Sequence, residues 1–133
     1  GLDPSRATFH VRDCFEMLDQ LAAEHRRFDV VILDPPSFAR DRRSRHAAER
    51  AYVQLQRRAL RCVEPGGLLA AASCTSQVSS QAFRGTLAKA AREAGCRLLT
   101  LHNAGQPIDH PVPPHFPEAR YLKFTISRVL PAL

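Results

Sequence analysis

Residues 28–38, which read FDVVILDPPSF, decide the fold class of this chain. Phe28–Leu33 is an almost continuous apolar run, and such runs are typical of strands that are buried on both faces of a parallel sheet. The strand must end at Asp34, because Pro35 and Pro36 have no amide hydrogen with which to continue a ladder. The stretch therefore predicts an internal strand that leads directly into a rigid loop.

The segments on both sides of this strand alternate between strand and helix patterns. The spacing of apolar residues, with turn signals at glycine and proline, separates the elements. The first half is predicted to hold a strand at Ala7–Arg12, a helix through Phe15–Ala22, the strand Phe28–Leu33 and a helix from about Arg45 to Val63. The second half is predicted to hold a turn at Pro65-Gly66-Gly67, a strand at Leu68–Ala72, a helix capped by Ser79 or Ser80 and stopped by Gly95, a strand at Cys96–Leu101, a loop at His102–Glu118 and a strand at Ala119–Val129.

Strands that alternate with helices predict an α/β fold with a doubly wound, mostly parallel sheet. The last two strands have no helix between them, so we expect the final strand to close the sheet in antiparallel orientation. Ligands bind such sheets at the carboxyl ends of the strands. Three polar clusters follow predicted strands, at Asp13, Asp34–Phe38 and Ser73–Ser76.

Length and composition limit the class of protein. The 133 residues, 44% hydrophobic and 24% charged, predict one globular domain without an internal linker. No apolar run approaches the roughly 20 residues of a membrane span. The net charge of +6 favours a polyanionic partner. The four cysteines form no CxxC pair, so we predict no zinc or other metal site, and reduced thiols in the cytoplasm are expected.

The Asp34–Phe38 loop has features suited to holding a nucleic-acid base. Pro35 and Pro36 stiffen the loop and expose carbonyl oxygens that can accept hydrogen bonds from a base amino group, while Phe38 can stack on a planar ring. A turn that merely ends a strand is the simpler structural interpretation. The strand context and the aromatic residue favour the functional one.

Several motifs occur in an order that resembles the class I S-adenosylmethionine-dependent methyltransferases. More narrowly, the chain resembles the bacterial large-subunit ribosomal RNA cytosine-5 methyltransferases of the rRNA large subunit methyltransferase I type. The motifs are FDVVILDPPSF, Pro65-Gly66-Gly67, Ser73-Cys74, Asp109-His110-Pro111-Val112, Pro117-Glu118 and Tyr121-Leu122-Lys123. The resemblance implies a Rossmann-like fold, S-adenosylmethionine as cofactor and ribosomal RNA as partner. It covers nearly all of this chain but only the C-terminal part of the catalytic domain in those proteins.

In this interpretation Cys74 is the catalytic nucleophile. Carbon 5 of cytosine is a poor nucleophile until a thiolate adds to carbon 6, and cysteine is the side chain best suited to that addition. A small residue at the end of a strand is the structural alternative. Ser37 follows the two prolines, where many RNA cytosine-5 methyltransferases carry a second cysteine, so only one catalytic cysteine is available.

The resemblance assigns two carboxylates. Asp34 is expected to hold the N3/N4 edge of cytosine and to help bind the cofactor, although an aspartate at this point can also cap the loop backbone. Asp13 matches the position that contacts the adenine amino group of the cofactor, and it can also be a helix N-cap.

Arginines follow the loop and are candidates for contacts with RNA. Arg40, Arg42 and Arg43 lie beside the proposed base pocket, together with Pro35, Pro36 and Phe38. Guanidinium groups pair well with phosphate, whereas a solvated polar face is the simpler interpretation of a charge run. The cysteines at 14, 62 and 96 are expected to fill the core.

Three hypotheses remain from the sequence: a cytosine-5 methyltransferase, a methyltransferase of the same fold acting on a base nitrogen, and a non-catalytic RNA-binding scaffold. The resemblance implies a sheet order of 3-2-1-4-5-7-6, with Ala7–Arg12 as the third strand and the first two strands before Gly1. We therefore expect an open apolar edge along Phe28–Leu33, or a collapse of the third strand onto it. This chain alone is expected to bind S-adenosylmethionine weakly and to be inactive.

Overall fold

The computed structural model describes residues 3–39, 41 and 43–133, which form one sheet and the helices packed on it. The helices are α1 (Cys14–Ala23), α2 (Arg45–Leu60) and α3 (Ser80–Ala94), with short 3-10 turns at Pro4–Arg6 and Pro117–Ala119. The strands are β1 (Phe28–Leu33), β2 (Val63–Ser73), β3 (Cys96–Ala104) and β4 (Lys123–Pro131).

The sheet has the order β1-β2-β4-β3. Strands β1 and β2 are parallel, and β4 lies antiparallel between β2 and β3. This is the order 4-5-7-6 expected from the resemblance, with the last strand closing the sheet. The predicted α/β fold with an antiparallel closing strand is confirmed.

All three helices pack on the same face of the sheet. One apolar cluster contains residues of β1, β2 and β4 together with Tyr52 of α2 and Phe83 of α3, and Leu18 of α1 packs against it. The side chains of β1 that point away from this cluster are exposed, with Val30 at 51% and Ile32 at 69%. Within the described residues β1 is also an edge strand of the sheet, so the open apolar edge that was expected along Phe28–Leu33 is present.

Strand β2 begins earlier than predicted and contains an irregularity at Pro65-Gly66-Gly67. Phe28 pairs with Val63 and Val30 pairs with Leu68, so β2 carries extra residues between two points of contact with β1. Gly66 has a φ of 87°, which a residue with a side chain rarely adopts. The predicted turn is thus a bulge within one strand, because the chain resumes the same ladder after it.

The segment Ala7–Arg12 is not a strand, and that prediction was wrong. It has no regular structure, and Phe9 and Val11 are almost fully exposed, at 91% and 102%. A strand exists only where a neighbouring strand satisfies its backbone groups. No strand within the described residues pairs with this segment.

The predicted ends of α1 and α3 are confirmed. Asp13 caps α1, Ser79 caps α3 by accepting a hydrogen bond from the Ala82 amide, and Gly95 ends α3 in the left-handed conformation at φ 69°. These boundaries depend on local backbone chemistry, which the sequence carries directly.

Candidate active site

The predicted site residues meet at the carboxyl edge of β1 and β2. Leu33 pairs with Ala71 in the parallel ladder, so the loop that starts at Asp34 and the turn that starts at Cys74 leave the sheet side by side. Strand β4 begins at the same edge, because Lys123 pairs with Ser73 in the antiparallel ladder. Three separate segments therefore converge there.

Tyr52 of α2 contacts two of these segments. The Ser73 hydroxyl donates to the Tyr52 oxygen at 2.9 Å. The Tyr52 ring packs edge-on against Phe38 at 4.9 Å and against Phe83 at 5.5 Å. Burial raises the pKa of Tyr52 and keeps the phenol neutral. Tyr52 thereby holds the proline loop, through its ring, beside the residue that precedes Cys74.

Lys123, the first residue of β4, connects that strand to the turn after Cys74. Its ammonium group is buried and donates hydrogen bonds to the carbonyl oxygens of Thr75 and Val78, the latter at 2.9 Å. Burial lowers the pKa of Lys123, and the charge of the neighbouring Cys74 acts in the opposite direction. The motif Tyr121-Leu122-Lys123 did not by itself indicate this role for Lys123. A basic residue at the start of a buried strand was the available signal.

Cys74 itself is half-buried and lies between two buried residues, Ser73 and Thr75. The Gln77 amide donates to the Thr75 hydroxyl at 3.2 Å, so the turn after the cysteine is internally bonded. Its thiol is thus held on an ordered backbone and keeps partial access to solvent.

Cys62 and Cys96 lie at the opposite end of the sheet, where β2 and β3 begin. Cys62 is buried and contacts the Leu18 carbonyl at 3.5 Å, and Cys96 is half-buried against the core. Burial raises the pKa of both thiols, which makes them poor nucleophiles. The prediction that Cys14 fills the core was wrong. It is exposed at the start of α1.

The proline loop presents Asp34 to solvent and anchors its other end. Asp34 and Pro36 are exposed, Pro35 is half-buried, and the Ser37 hydroxyl donates to the Ala39 carbonyl at 2.8 Å. Phe38 is half-buried against Tyr52, so most of its ring contact is with the core. The loop therefore offers the Asp34 carboxylate and backbone carbonyls as its accessible polar groups.

Asp13 serves as the N-cap of α1. One carboxylate oxygen accepts hydrogen bonds from the amides of Phe15 at 2.8 Å and Glu16 at 3.0 Å. Helix α1 leads back to the start of β1, so its first turn lies about 15 Å toward the carboxyl edge of the sheet. Asp13 is exposed there, and its second carboxylate oxygen accepts no hydrogen bond within the described residues.

Of the three loop arginines that were predicted to contact RNA, Arg43 is described and exposed, whereas Arg40 and Arg42 lie outside the described residues. The loop turns into α2 through Asp41, which accepts a hydrogen bond from the Ser44 amide at 2.9 Å. Hydrogen bonds from Ser44 lower the pKa of Asp41. Arg43 is therefore held beside an ordered turn at the start of α2.

An open groove of about 780 Å³ lies next to the turn after Cys74. Ser76 and Gln77 line one side, and Arg45, His46 and Arg120 contribute basic groups. Glu49 pairs with Arg45 at 3.3 Å and offsets part of this charge. A cavity of about 480 Å³ lies at the opposite edge of the sheet, beside Val63 and Gly95, and contains none of the predicted site residues.

The histidine of the Asp109-His110 motif contacts Tyr121. His110 hydrogen-bonds the Tyr121 hydroxyl at 3.2 Å, with the two rings edge to face. This contact joins the proline-rich loop to the residues just before Lys123.

The described ranges contain no group of three or more His, Cys, Asp or Glu side chains that could hold a metal ion. None of the helices in the described part of the chain is long and apolar enough to span a bilayer.

Curated relatives are similar over almost the whole chain. The ribosomal RNA large subunit methyltransferase I of Shewanella denitrificans is 36% identical over 129 residues, which are 97% of this chain and 32% of that protein. The protein of the same name from Erwinia tasmaniensis is 35% identical over 98% of this chain and 33% of its own length. The chain thus spans about a third of the length of the curated relatives it matches. No family model matches the chain.

Solved structures agree with the fold. A methyltransferase in complex with SAH superposes with a TM-score of 0.73 at 25% identity and covers 89% of this chain and 30% of its own. A protein from Streptococcus mutans that is described as a SAM-dependent methyltransferase superposes with a TM-score of 0.71 at 21% identity and covers the same fractions. The chain is therefore similar in sequence to about a third of the length of ribosomal RNA large subunit methyltransferase I proteins, and similar in fold to part of a solved methyltransferase.

Proposed function

We propose that this chain is the catalytic part of an S-adenosylmethionine-dependent methyltransferase that modifies carbon 5 of a cytosine in ribosomal RNA. The observation that carries the proposal is the placement of Asp34-Pro35-Pro36 and Cys74 at the ends of two adjacent parallel strands. Tyr52 contacts both segments, Ser73 through its hydroxyl and Phe38 through its ring, so a base held by the loop would lie next to the thiol. The names of the relatives support RNA as the substrate and a cytoplasmic location.

Cys74 has the chemistry that carbon 5 methylation requires. Its thiolate adds to carbon 6 of the ring, which makes carbon 5 electron-rich enough to form a bond to the incoming methyl group. Loss of the carbon 5 proton and elimination of the thiolate then restore the aromatic ring and the free enzyme. S-adenosylmethionine, when bound, supplies the methyl group.

The loop supplies the groups that would orient the base. The exposed Asp34 carboxyl, when protonated, can donate to N3 of cytosine and draw electron density away from carbon 6. The carbonyl oxygens of the proline loop can accept from the exocyclic amino group. Because Pro35 and Pro36 fix their own φ angles, these acceptors are already in place before a base binds.

The residues present fit one end of the cofactor. Asp13 and Asp34 are exposed carboxylates toward the carboxyl edge of the sheet, and Asp13 keeps one oxygen that accepts no hydrogen bond within the described residues. A carboxylate oxygen is the acceptor that an adenine amino group needs. We assign Asp13 to that contact and Asp34 to the reacting end.

Basic groups around the site would hold the RNA backbone. Arg43 is exposed at the start of α2, and the adjacent groove contains Arg45 and Arg120. Arg40 and Arg42 directly precede α2 in the sequence, and we assign them the same role of binding phosphate. Guanidinium groups position phosphates without reading the sequence of bases.

RNA that contains 5-fluorocytosine tests the thiolate mechanism in the intact protein with S-adenosylmethionine present. Fluorine at carbon 5 cannot leave as a proton does, so the thiolate stays bonded to carbon 6 and a gel-stable adduct forms. We expect the wild-type protein and Cys14→Ser to form the adduct and Cys74→Ala to lose both the adduct and methyl transfer. Cys14 is the matched control because it is an exposed thiol outside the site.

Two other outcomes would contradict the proposal. Methyl transfer that survives Cys74→Ala would indicate a methyltransferase that acts on a base nitrogen, for which the proline loop suffices. Calorimetric titration of the intact protein that detects RNA binding but no S-adenosylmethionine binding would indicate a non-catalytic scaffold.

A further inference from the structure

Lys123 is a buried cation without a carboxylate partner. Its side chain belongs to a residue that is only 7% exposed, and its hydrogen bonds within the described residues go to two neutral carbonyl oxygens. The ion pairs found within the described residues involve other basic groups. A buried charge without a counter-charge is costly, so such a group is retained where a negative charge offsets it.

Cys74 is the group that can supply this negative charge. Lys123 lies directly opposite Ser73 in the sheet, and its ammonium reaches the carbonyls on the far side of Cys74. The Cys74 charge acts on Lys123 of β4 and on Tyr52 of α2, two titratable groups of the described residues. Tyr52 is neutral because burial raises its pKa, so Lys123 is the cation of the cluster.

We propose that Lys123 is a positioning residue for the nucleophile, which fixes the turn after Cys74 and stabilises the Cys74 thiolate with its buried positive charge. The proposal rests on the assignment of Cys74 as the nucleophile. The ammonium has three hydrogens, and two are used by Thr75 and Val78. The proton that Cys74 loses goes to solvent, and Lys123 acts only through its charge and its hydrogen bonds.

The rate of alkylation by iodoacetamide measures the fraction of a cysteine that is present as thiolate. The rate at Cys74 is measured against pH by mass spectrometry of the peptide, and Cys14 in the same sample is the internal control because it is exposed and on another element. In Lys123→Gln the donors are kept and the charge is lost, so the alkylation rate at Cys74 near neutral pH should fall roughly several-fold relative to Cys14. In Lys123→Arg the charge is kept and the profile should stay close to that of wild type.

A reciprocal measurement covers the case in which the Gln variant fails to fold. Interaction between two titrating groups is mutual, so removing the thiol in Cys74→Ser should lower the pH at which Lys123 titrates, as followed by NMR of the lysine side-chain amines. The chain has only two lysines, and the exposed Lys89 provides the unaffected signal.

Three results would overturn the proposal: an unchanged Cys74 profile in Lys123→Gln, an equal fall in rate in the Gln and Arg variants, or a Lys123 titration that Cys74→Ser does not move. These measurements need neither RNA nor cofactor. The adduct experiment with 5-fluorocytosine tests the nucleophile separately, so failure of one assignment is distinguishable from failure of the other.

Discussion

At the scale of single residues, the site depends on contacts between side chains far apart in the sequence. The Tyr52 hydroxyl meets Ser73, 21 residues later, and the Lys123 ammonium meets Thr75, 48 residues earlier. The apolar residues of α2 recur at helical spacing, which puts Tyr52 on the buried face of the helix. Nothing in that spacing indicates which polar group its hydroxyl meets, because this depends on how α2 packs over the ends of the strands.

Tyr52→Phe should therefore weaken the fold at neutral pH. The variant removes one hydroxyl from a residue that is 1% exposed and leaves the Ser73 hydroxyl without its partner, at a cost of about 1 to 3 kcal/mol. Urea denaturation measures the loss. Tyr121→Phe is the matched control, because its hydroxyl contact with His110 is exposed and should matter less.

The same variant has a pH dependence with a defined sign. Burial raises the pKa of Tyr52 in the folded state, so its stabilising effect is complete below the ordinary value of about 10 and declines as the pH rises through the raised pKa. The stability difference between wild type and Tyr52→Phe should shrink in alkaline solution. A difference that stays constant with pH would contradict this assignment.

At the scale of elements, the bulge in β2 is the feature that local patterns described least well. Pro65-Gly66-Gly67 reads as a turn, and the run Leu68–Ala72 reads as a separate strand. The structure joins them, because Val63 already pairs with Phe28 before the bulge. By contrast, the limits of α3 were predicted correctly, since Ser79 and Gly95 act on the backbone next to them.

Substitution by alanine should have opposite effects on stability at Gly67, which lies close to neighbouring backbone atoms, and at Gly85, which does not. A Cβ at Gly67 would lie 2.7 Å from the Asp29 carbonyl and 2.9 Å from the Glu64 carbonyl, so Gly67→Ala should destabilise the protein by more than 1 kcal/mol. A Cβ at Gly85 in α3 meets nothing within 4 Å, so Gly85→Ala should stabilise it by about 0.5 to 1 kcal/mol. Urea midpoints that move in the same direction for both variants would contradict the account of the bulge.

At the scale of the whole molecule, the sheet is covered on one face and exposes apolar side chains on the other. The β1 run predicted a strand buried on both faces, yet Val30 and Ile32 are exposed within the described part of the chain. The strand assignment was correct and the burial was not, because burial depends on what packs against a strand. The failed strand at Ala7–Arg12 has the same cause.

This surface should make the 133-residue chain self-associate. Ile32→Lys places a charge at the centre of the exposed part of β1 and should shift sedimentation toward the monomer. Ile108→Lys is the matched control, because Ile108 is fully exposed in the proline-rich loop and lies off the sheet. Equal sedimentation of the two variants would show that the sheet face is not where the copies meet.

The position of β4 between β2 and β3 also sets an order of assembly. Strand β3 is made before β4, but it has no partner in the sheet until β4 enters between it and β2. During synthesis, the part of the chain that carries Asp34, Tyr52 and Cys74 leaves the ribosome well before Lys123 does. Pairing between residues so distant in sequence forms slowly. Cys74 therefore gains the buried charge of Lys123 only when β4 inserts between β2 and β3. Until then, a nascent chain has the thiol without the neighbouring ammonium group.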